Sequence, residues 1–366
     1  MQVYSHRMWV LAASAVVVLV TSCAPTDELR VRVESECENT FPVDGYIIAP
    51  DYLDYGETLP TREAGLPERL SETILYSDAT QKTVHSALAH YVPRYQLWSD
   101  GEDKSRWIYL PECDVIQTDD QNDWSFPVGT RFFKEFRRDG RRIETRLIQR
   151  IGPGPRDFAY ASYQWNDEET DAVRVGEAGV INAGGTGHDI PSKQQCLQCH
   201  GSHARGGGRP SRGLGFSALQ LAHDGDGVTL KQLKSKARLS HDVPETIPIP
   251  GDAVDQAALG YLHANCGGCH NPSKDGLPQT DLNFWLEIGQ TEVQETGAWK
   301  TAVNQSTRTF TDQHVHARIV PGNAAHSSVY YRMVQRGNLA QMPPIGSRQV
   351  DPSGTESVRA WIESMP

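Results

Sequence analysis

Cationic residues are in short supply in this chain, with 35 Lys and Arg against 46 Asp and Glu and a formal charge of −11. That balance argues against nucleic acid as a partner, which selects a basic stripe or patch. Beyond the N-terminus no run is apolar enough to cross a bilayer, which takes about 20 residues in a helix. Methionine is scarce, and only Met333, Met342 and Met365 lie outside the first eight residues. Asp224-Gly225-Asp226-Gly227 lacks the twelve-residue ligand pattern and closing Glu of a calcium loop, so it reads as a turn. Cysteine is also limited, at seven residues. Four of the seven carry the strongest pattern in the chain.

That pattern is Cys-x-x-Cys-His, present twice: Cys196-Leu197-Gln198-Cys199-His200 and Cys266-Gly267-Gly268-Cys269-His270. Two thiols at this spacing can each add to one vinyl group of a haem, and the adjoining His can then ligate the iron. Paired Cys-x-x-Cys units also bind structural zinc, but zinc gives no reason for a His directly after both second cysteines. The expectation is two covalently bound haem c groups, attached at Cys196, Cys199, Cys266 and Cys269, with His200 and His270 as iron ligands.

The N-terminus indicates where such chemistry takes place. His6 and Arg7 precede a largely apolar run, Met8 to Val20, which is too short to span a membrane but suits a signal-peptide core. Val20-Thr21-Ser22-Cys23 resembles a bacterial lipobox, in which Cys23 is lipidated; an ordinary secretory signal with an incidental cysteine is the alternative. Ala24 at the following position favours the outer membrane by the same resemblance. Cleavage before Cys23 removes Arg7 and leaves 34 basic against 46 acidic residues, a formal −12. Cys37 and Cys113 remain, and in an oxidising compartment they form either one disulfide or two buried thiols, with the disulfide favoured.

Composition divides the chain into a lipoprotein signal peptide (1–22), a polar tether (23–45), a β-rich domain (46–185), a haem 1 segment (186–250) and a cytochrome c-type haem 2 domain (251–366). Aromatic and β-branched runs such as 106–110, 130–136, 143–148 and 158–165, punctuated by Asp139-Gly140 and Gly152-Pro153-Gly154-Pro155, suggest short strands. The fold class expected is multidomain: an N-terminal β-sandwich-like domain followed by mainly α cytochrome c-type haem domains. The β-rich part has no Cys-x-x-Cys-His and is expected to pack, dock or shield a haem edge. Asp252 to Asn265 reads as the helix entering the second motif, with Gly260 permitting a close crossing of a terminal helix. That terminal helix is expected to be capped by Ser353 and to bury Val358, Trp361, Ile362 and Met365.

A low-spin haem needs a second axial ligand, usually Met or His. Met342, in Gln341-Met342-Pro343-Pro344, is the expected ligand of the haem on Cys266 and Cys269, while Met333 and Met365 read as core. The first haem has no obvious Met. Its sixth ligand is a histidine, a methionine from the other unit, or nothing, with His188 leading over His263, His223 and His241.

Several longer stretches carry a family resemblance. Tyr95-Gln96-Leu97-Trp98-Ser99-Asp100-Gly101, Arg106-Trp107-Ile108-Tyr109-Leu110-Pro111, Phe126-Pro127-Val128-Gly129-Thr130 and Glu144-Thr145-Arg146-Leu147 are among them. Gly215-Phe216-Ser217-Ala218-Leu219-Gln220-Leu221, Tyr261-Leu262-His263-Ala264-Asn265-Cys266 and Pro321-Gly322-Asn323 extend the pattern. From about residue 90 to 366 the chain resembles a family of bacterial di-haem c-type cytochromes. The resemblance implies an envelope-located di-haem protein, some members of the family standing beside partner enzymes. The function expected is electron transfer between cell-envelope redox partners by an outer-membrane lipoprotein of a Gram-negative bacterium, facing periplasm or cell surface. The alternative is a di-haem peroxidase-like enzyme with an open coordination site at haem 1. Against it stand the lack of a Trp between the motifs and of a recognisable distal acid paired with a His.

Overall fold

Alternation of large apolar and charged side chains drives the central element, a six-stranded antiparallel sheet in the simple order β3-β4-β5-β6-β7-β8. Its strands are β3 (Leu88–His90), β4 (Asp103–Tyr109), β5 (Arg131–Arg138), β6 (Arg141–Arg150), β7 (Phe158–Trp165) and β8 (Ala172–Arg174). Two further pairs flank it: β1 (Tyr76–Asp78) with β2 (Thr83–Val84), and β9 (Val180–Ala183) with β10 (His188–Ile190). The computed structural model describes residues 65–154, 157–200, 213–272, 280–308, 310, 312 and 315–366. The signal peptide, Cys23, the tether and Cys37 lie outside the described residues.

The tight turn between β5 and β6 is Asp139-Gly140, with φ of 52° and 79°. Two consecutive residues at positive φ match the right-handed twist of the flanking strands, and Asp-Gly tolerates them at least cost. Successive residues of a strand point to opposite faces. On one face Trp107, Phe133, Leu147 and Tyr163 pack against Leu66, Leu70, Leu75 and Tyr76. On the other, Ile108 and Phe132 join a single large core that includes Trp124, Phe126, Phe216, Leu259, Leu262, Trp361 and Ile362.

That shared core overturns the expected fold class. The structure is dominated by the sheet, and the seven α-helices among the described residues are short. They are α1 (Lys193–His200), α2 (Ala218–Leu221), α3 (Leu230–Ser235), α4 (Ala253–Asn265), α5 (Gly297–Ala302), α6 (Ser328–Met333) and α7 (Pro352–Ser364). The remainder of the C-terminal half is largely irregular backbone, in keeping with a chain holding 32 Gly and 22 Pro. Nor do two sheets face each other as in a sandwich. One sheet is covered by an N-terminal segment on one side and by the C-terminal half on the other.

α4 and α7 form the helix pair expected around the second motif, with two changes of detail. The N-cap of α7 is Asp351, whose carboxylate accepts from Ser353 N (3.1 Å) and Gly354 N (3.0 Å), with Pro352 opening the helix. The close approach is made by Gly354, where a Cβ would run into the Tyr261 ring, whereas a Cβ at Gly260 would meet Tyr95. Gly354→Ala is expected to lower stability in urea unfolding. Overpacking costs about 1–3 kcal/mol, which exceeds the roughly 1 kcal/mol of helix propensity gained.

Candidate functional site

Ser192 precedes α1, its hydroxyl accepting from Gln195 N at 3.3 Å, and the first motif occupies the helix from Cys196 to His200. Leu197 is buried and, with Cys196, packs on Phe158, Tyr160 and Ile148 of the sheet. The His200 ring lies 5.8 Å from that of Tyr160. Beside Cys196 opens a cleft of about 250 Å³, bordered by Glu68, Tyr160, Ser162, Arg174, Glu177 and Lys193.

The second motif follows α4. Asp252 caps the helix, accepting from Val254 N (2.8 Å) and Asp255 N (3.1 Å), and its far end turns at Cys266. Asn265, directly before the motif, accepts from Trp98 N at 2.7 Å and donates to the Gln96 carbonyl at 3.2 Å. Burial pushes the Cys266 thiol up to about 12, so it stays protonated at neutral pH. His270 is held down to about 4 by burial and then by the charges of Arg332 and Arg318, and is therefore neutral, the form that can ligate a metal. Its Nδ1 is buried without a hydrogen-bond partner, and Phe284 packs edge-on to the ring at 5.8 Å.

Met342 is half-buried, its N–H donating to the Arg332 carbonyl at 3.0 Å and its carbonyl accepting from Arg336 Nη1 at 3.4 Å. Arg332 also donates from Nε to Ala340 O at 2.9 Å. One arginine thus holds the Met342 loop and bears on His270. Met333 and Met365 are buried, at 6% and 7% exposure, as their expected core roles require.

The two motifs meet. Cys269 Sγ lies 3.9 Å from the Gln198 carbonyl oxygen, 71 residues away in sequence. The four motif cysteines are not disulfide-bonded, whereas Cys113 is in a disulfide; its expected partner, Cys37, lies outside the described residues. Among the described residues no three His, Cys, Asp or Glu side chains converge as metal ligands.

His188 has a different post from the one its sequence position suggested. It sits in β10, 4% exposed, with Nδ1 2.8 Å from Glu102 Oε1 and Nε2 2.7 Å from Glu144 Oε2. Both ring nitrogens are therefore committed to carboxylates and neither offers a lone pair to iron. His263 accepts from Leu286 N at Nδ1 (3.1 Å), and His223 engages Val92 O (2.7 Å) and Gly225 N (2.9 Å). His241 lies on the surface against Ser240 at 3.0 Å. Glu144 lies in one of the stretches that carry the family resemblance, but its pairing with His188, like that of Glu102, depends on strand pairing that sequence alone does not show.

Comparison with known proteins returned no matching family model, no matching curated protein and no matching solved structure.

Burial opposes the charge on His188, but its hydrogen bonds to Glu102 and Glu144 outweigh that and raise it to about 9. Burial likewise opposes the Glu144 carboxylate, yet the Arg146 charge and the His188 hydrogen bond bring it down to about 2. His188 therefore contributes stability below its ordinary 6.5 that is lost as pH climbs through about 9. Glu144 contributes above its ordinary 4.5 and loses this as pH falls toward about 2. His188→Ala removes one partner from each of two buried carboxylates, which keep Arg146 and Arg138, and is expected to cost about 1.5–3 kcal/mol. Urea midpoints across the pH range check this: the gap between wild type and variant is widest between pH 4.5 and 6.5 and narrows on both sides.

Proposed function

We propose that the protein is a di-haem c-type cytochrome that passes electrons between redox partner proteins of the cell envelope. The observation that carries this reading is the meeting of two Cys-x-x-Cys-His motifs at Gln198 and Cys269. The residues present suit covalent haem: a protonated Cys266 thiol able to form a thioether, a neutral His270 with an unpartnered nitrogen, and a methionine loop anchored through Arg332. Bound haem supplies reversible one-electron exchange at iron, so the chain needs no acid–base residue.

Its own residues do the rest. Cys196 and Cys199 fix one group against the sheet, and Cys266 and Cys269 fix the other at the end of α4. His200, His270 and Met342 would be the side chains that hold the iron. Contact between the motifs brings the two attachment segments together, so haem bound there would supply one-electron exchange at neighbouring sites. Cys23 anchors the chain to the outer membrane of a Gram-negative bacterium through a lipid. The family resemblance along residues 90–366 supports the same reading.

A second reading, a peroxidase-like enzyme with an open position at haem 1, is favoured by one observation: His188 and His223 have both ring nitrogens engaged elsewhere.

Haem stoichiometry and spectra test both readings. The proposal expects two haems in wild type and one after Cys196→Ala/Cys199→Ala or Cys266→Ala/Cys269→Ala. Met342→Ala should abolish the sulfur-to-iron charge-transfer band and lower one midpoint potential. Two low-spin haems in the oxidised protein support the carrier; a high-spin, peroxide-reactive haem 1 supports the enzyme. A chain without covalent haem sinks both.

A further inference from the structure

The face of the sheet turned toward the C-terminal half carries an arrangement of charge that protein electrostatics alone does not account for. Arg106 pairs with Lys134, Lys134 with Arg146, and Arg146 with Ser162 across four neighbouring strands. Three cations therefore stand directly opposite one another on one face, in a chain whose net charge is negative. Like charges in that relation repel. Lys104 stands one row away, opposite Phe136.

The carboxylates nearby are already taken. Glu144 holds Arg146 through two bonds of 2.8 Å and His188 through one of 2.7 Å. Glu102 is shared between His188 at 2.8 Å and Arg138 at 2.9 Å. Arg106, 4% exposed, reaches only the neutral Gln96 Oε1 at 3.3 Å, and Lys104 Nζ reaches the Leu97 carbonyl at 2.9 Å. Lys134 rests over the Phe136 ring at 4.8 Å and forms no ion pair among the described residues. Burial, then Arg106, Arg146 and Lys104, holds its ammonium well below the ordinary lysine range.

The row also has a definite end. Ser162, next after Arg146 in the row, borders the cleft beside Cys196. Strands lie about 4.8 Å apart, so the run from Arg146 to Arg106 extends about 10 Å away from the attachment point. A porphyrin is about that wide from its thioether edge to its carboxylate edge, and its two carboxylates are the charge the row lacks.

We propose that Arg106 and Lys134, in the part of the row away from Cys196, form the carboxylate-binding site for the haem carried by Cys196 and Cys199. This rests on haem attachment at the first motif. The sheet is then part of that haem's site, and the repulsion along the row is relieved when the group is in place.

The test uses the full-length matured protein with and without the first haem. Lys134→Met should lower the urea midpoint and the potential of haem 1 in the di-haem chain. In the Cys196→Ala/Cys199→Ala chain, which keeps haem 2, the same change should leave stability equal or higher. Lys134→Glu gives an independent reading. Within the protein alone a carboxylate between Arg106 and Arg146 stabilises the sheet, but opposite haem carboxylates it should cut incorporation at the first motif, taking haem per chain from two toward one. Equal effects of Lys134→Met in both chains, with an unchanged haem 1 potential, overturn the proposal, as do two full haems in a stabilised Lys134→Glu protein. Absence of haem from the first motif in wild type instead overturns the attachment reading, before the cation row is in question.

Discussion

The Asp100 carboxylate is the constraint on which the arrangement of the molecule depends. It accepts from Arg348 N at 2.9 Å, Gln349 N at 2.8 Å and Ser347 Oγ at 3.2 Å, while its carbonyl accepts from Arg138 Nη2 of β5 at 3.1 Å. A few residues earlier, Trp98 and Gln96 bracket Asn265 at the end of α4. One short segment therefore ties together the sheet, the helix leading into the second motif and the loop that follows Met342. Hydrogen bonds to a carboxylate contribute about 1.5–3 kcal/mol each, and here they join parts of the chain some 250 residues apart. Asp100 takes φ of 50° and Gly101 of 81° to make the turn. Aspartate tolerates that backbone better than most side chains because its carboxylate bonds locally.

Charge is sorted across the fold in a way its total conceals. The chain is acidic, yet the sheet face buried against the C-terminal half carries Lys104, Arg106, Lys134 and Arg146. Buried cations cost several kcal/mol apiece unless compensated. Glu144 and Glu102 answer part of that cost through His188, Arg146 and Arg138. The result is a polar layer between two apolar ones: Trp107, Phe133 and Tyr163 on the far face, and the large shared core beside it.

Local chemistry was legible in the sequence and register was not. Asp139-Gly140 announced its hairpin because only a few residue pairs accept two positive φ values. α4 was visible from its apolar spacing, and so was α7, although Asp351 rather than Ser353 caps it; the following Pro352 was the overlooked sign. The fold class was misread because short helices separated by glycine and proline look alike whether they build a separate domain or cover a sheet. His188 was misread for a related reason. In sequence it stands near Cys196, and only strand pairing reveals Glu102 and Glu144 on either side of its ring. The cation row was hidden by a habit of interpretation: charged residues alternating with aromatics normally mark a solvent face, but both faces of this sheet are covered.

The two motifs consequently occupy unlike surroundings. Cys266 lies in an apolar interior, where burial keeps it a thiol, and His270 is flanked by Arg332 and Arg318. Cys196 lies against the sheet beside Arg146. On the proposed reading, Met ligation would set the potential of the second haem above that of a first haem that lacks it. Fixed positive charge disfavours the more positive, oxidised iron, and both sites have it, from arginines at His270 and from the row at the first motif. Because the charge acts at both sites, it raises both potentials together and leaves the direction of transfer to the axial ligands.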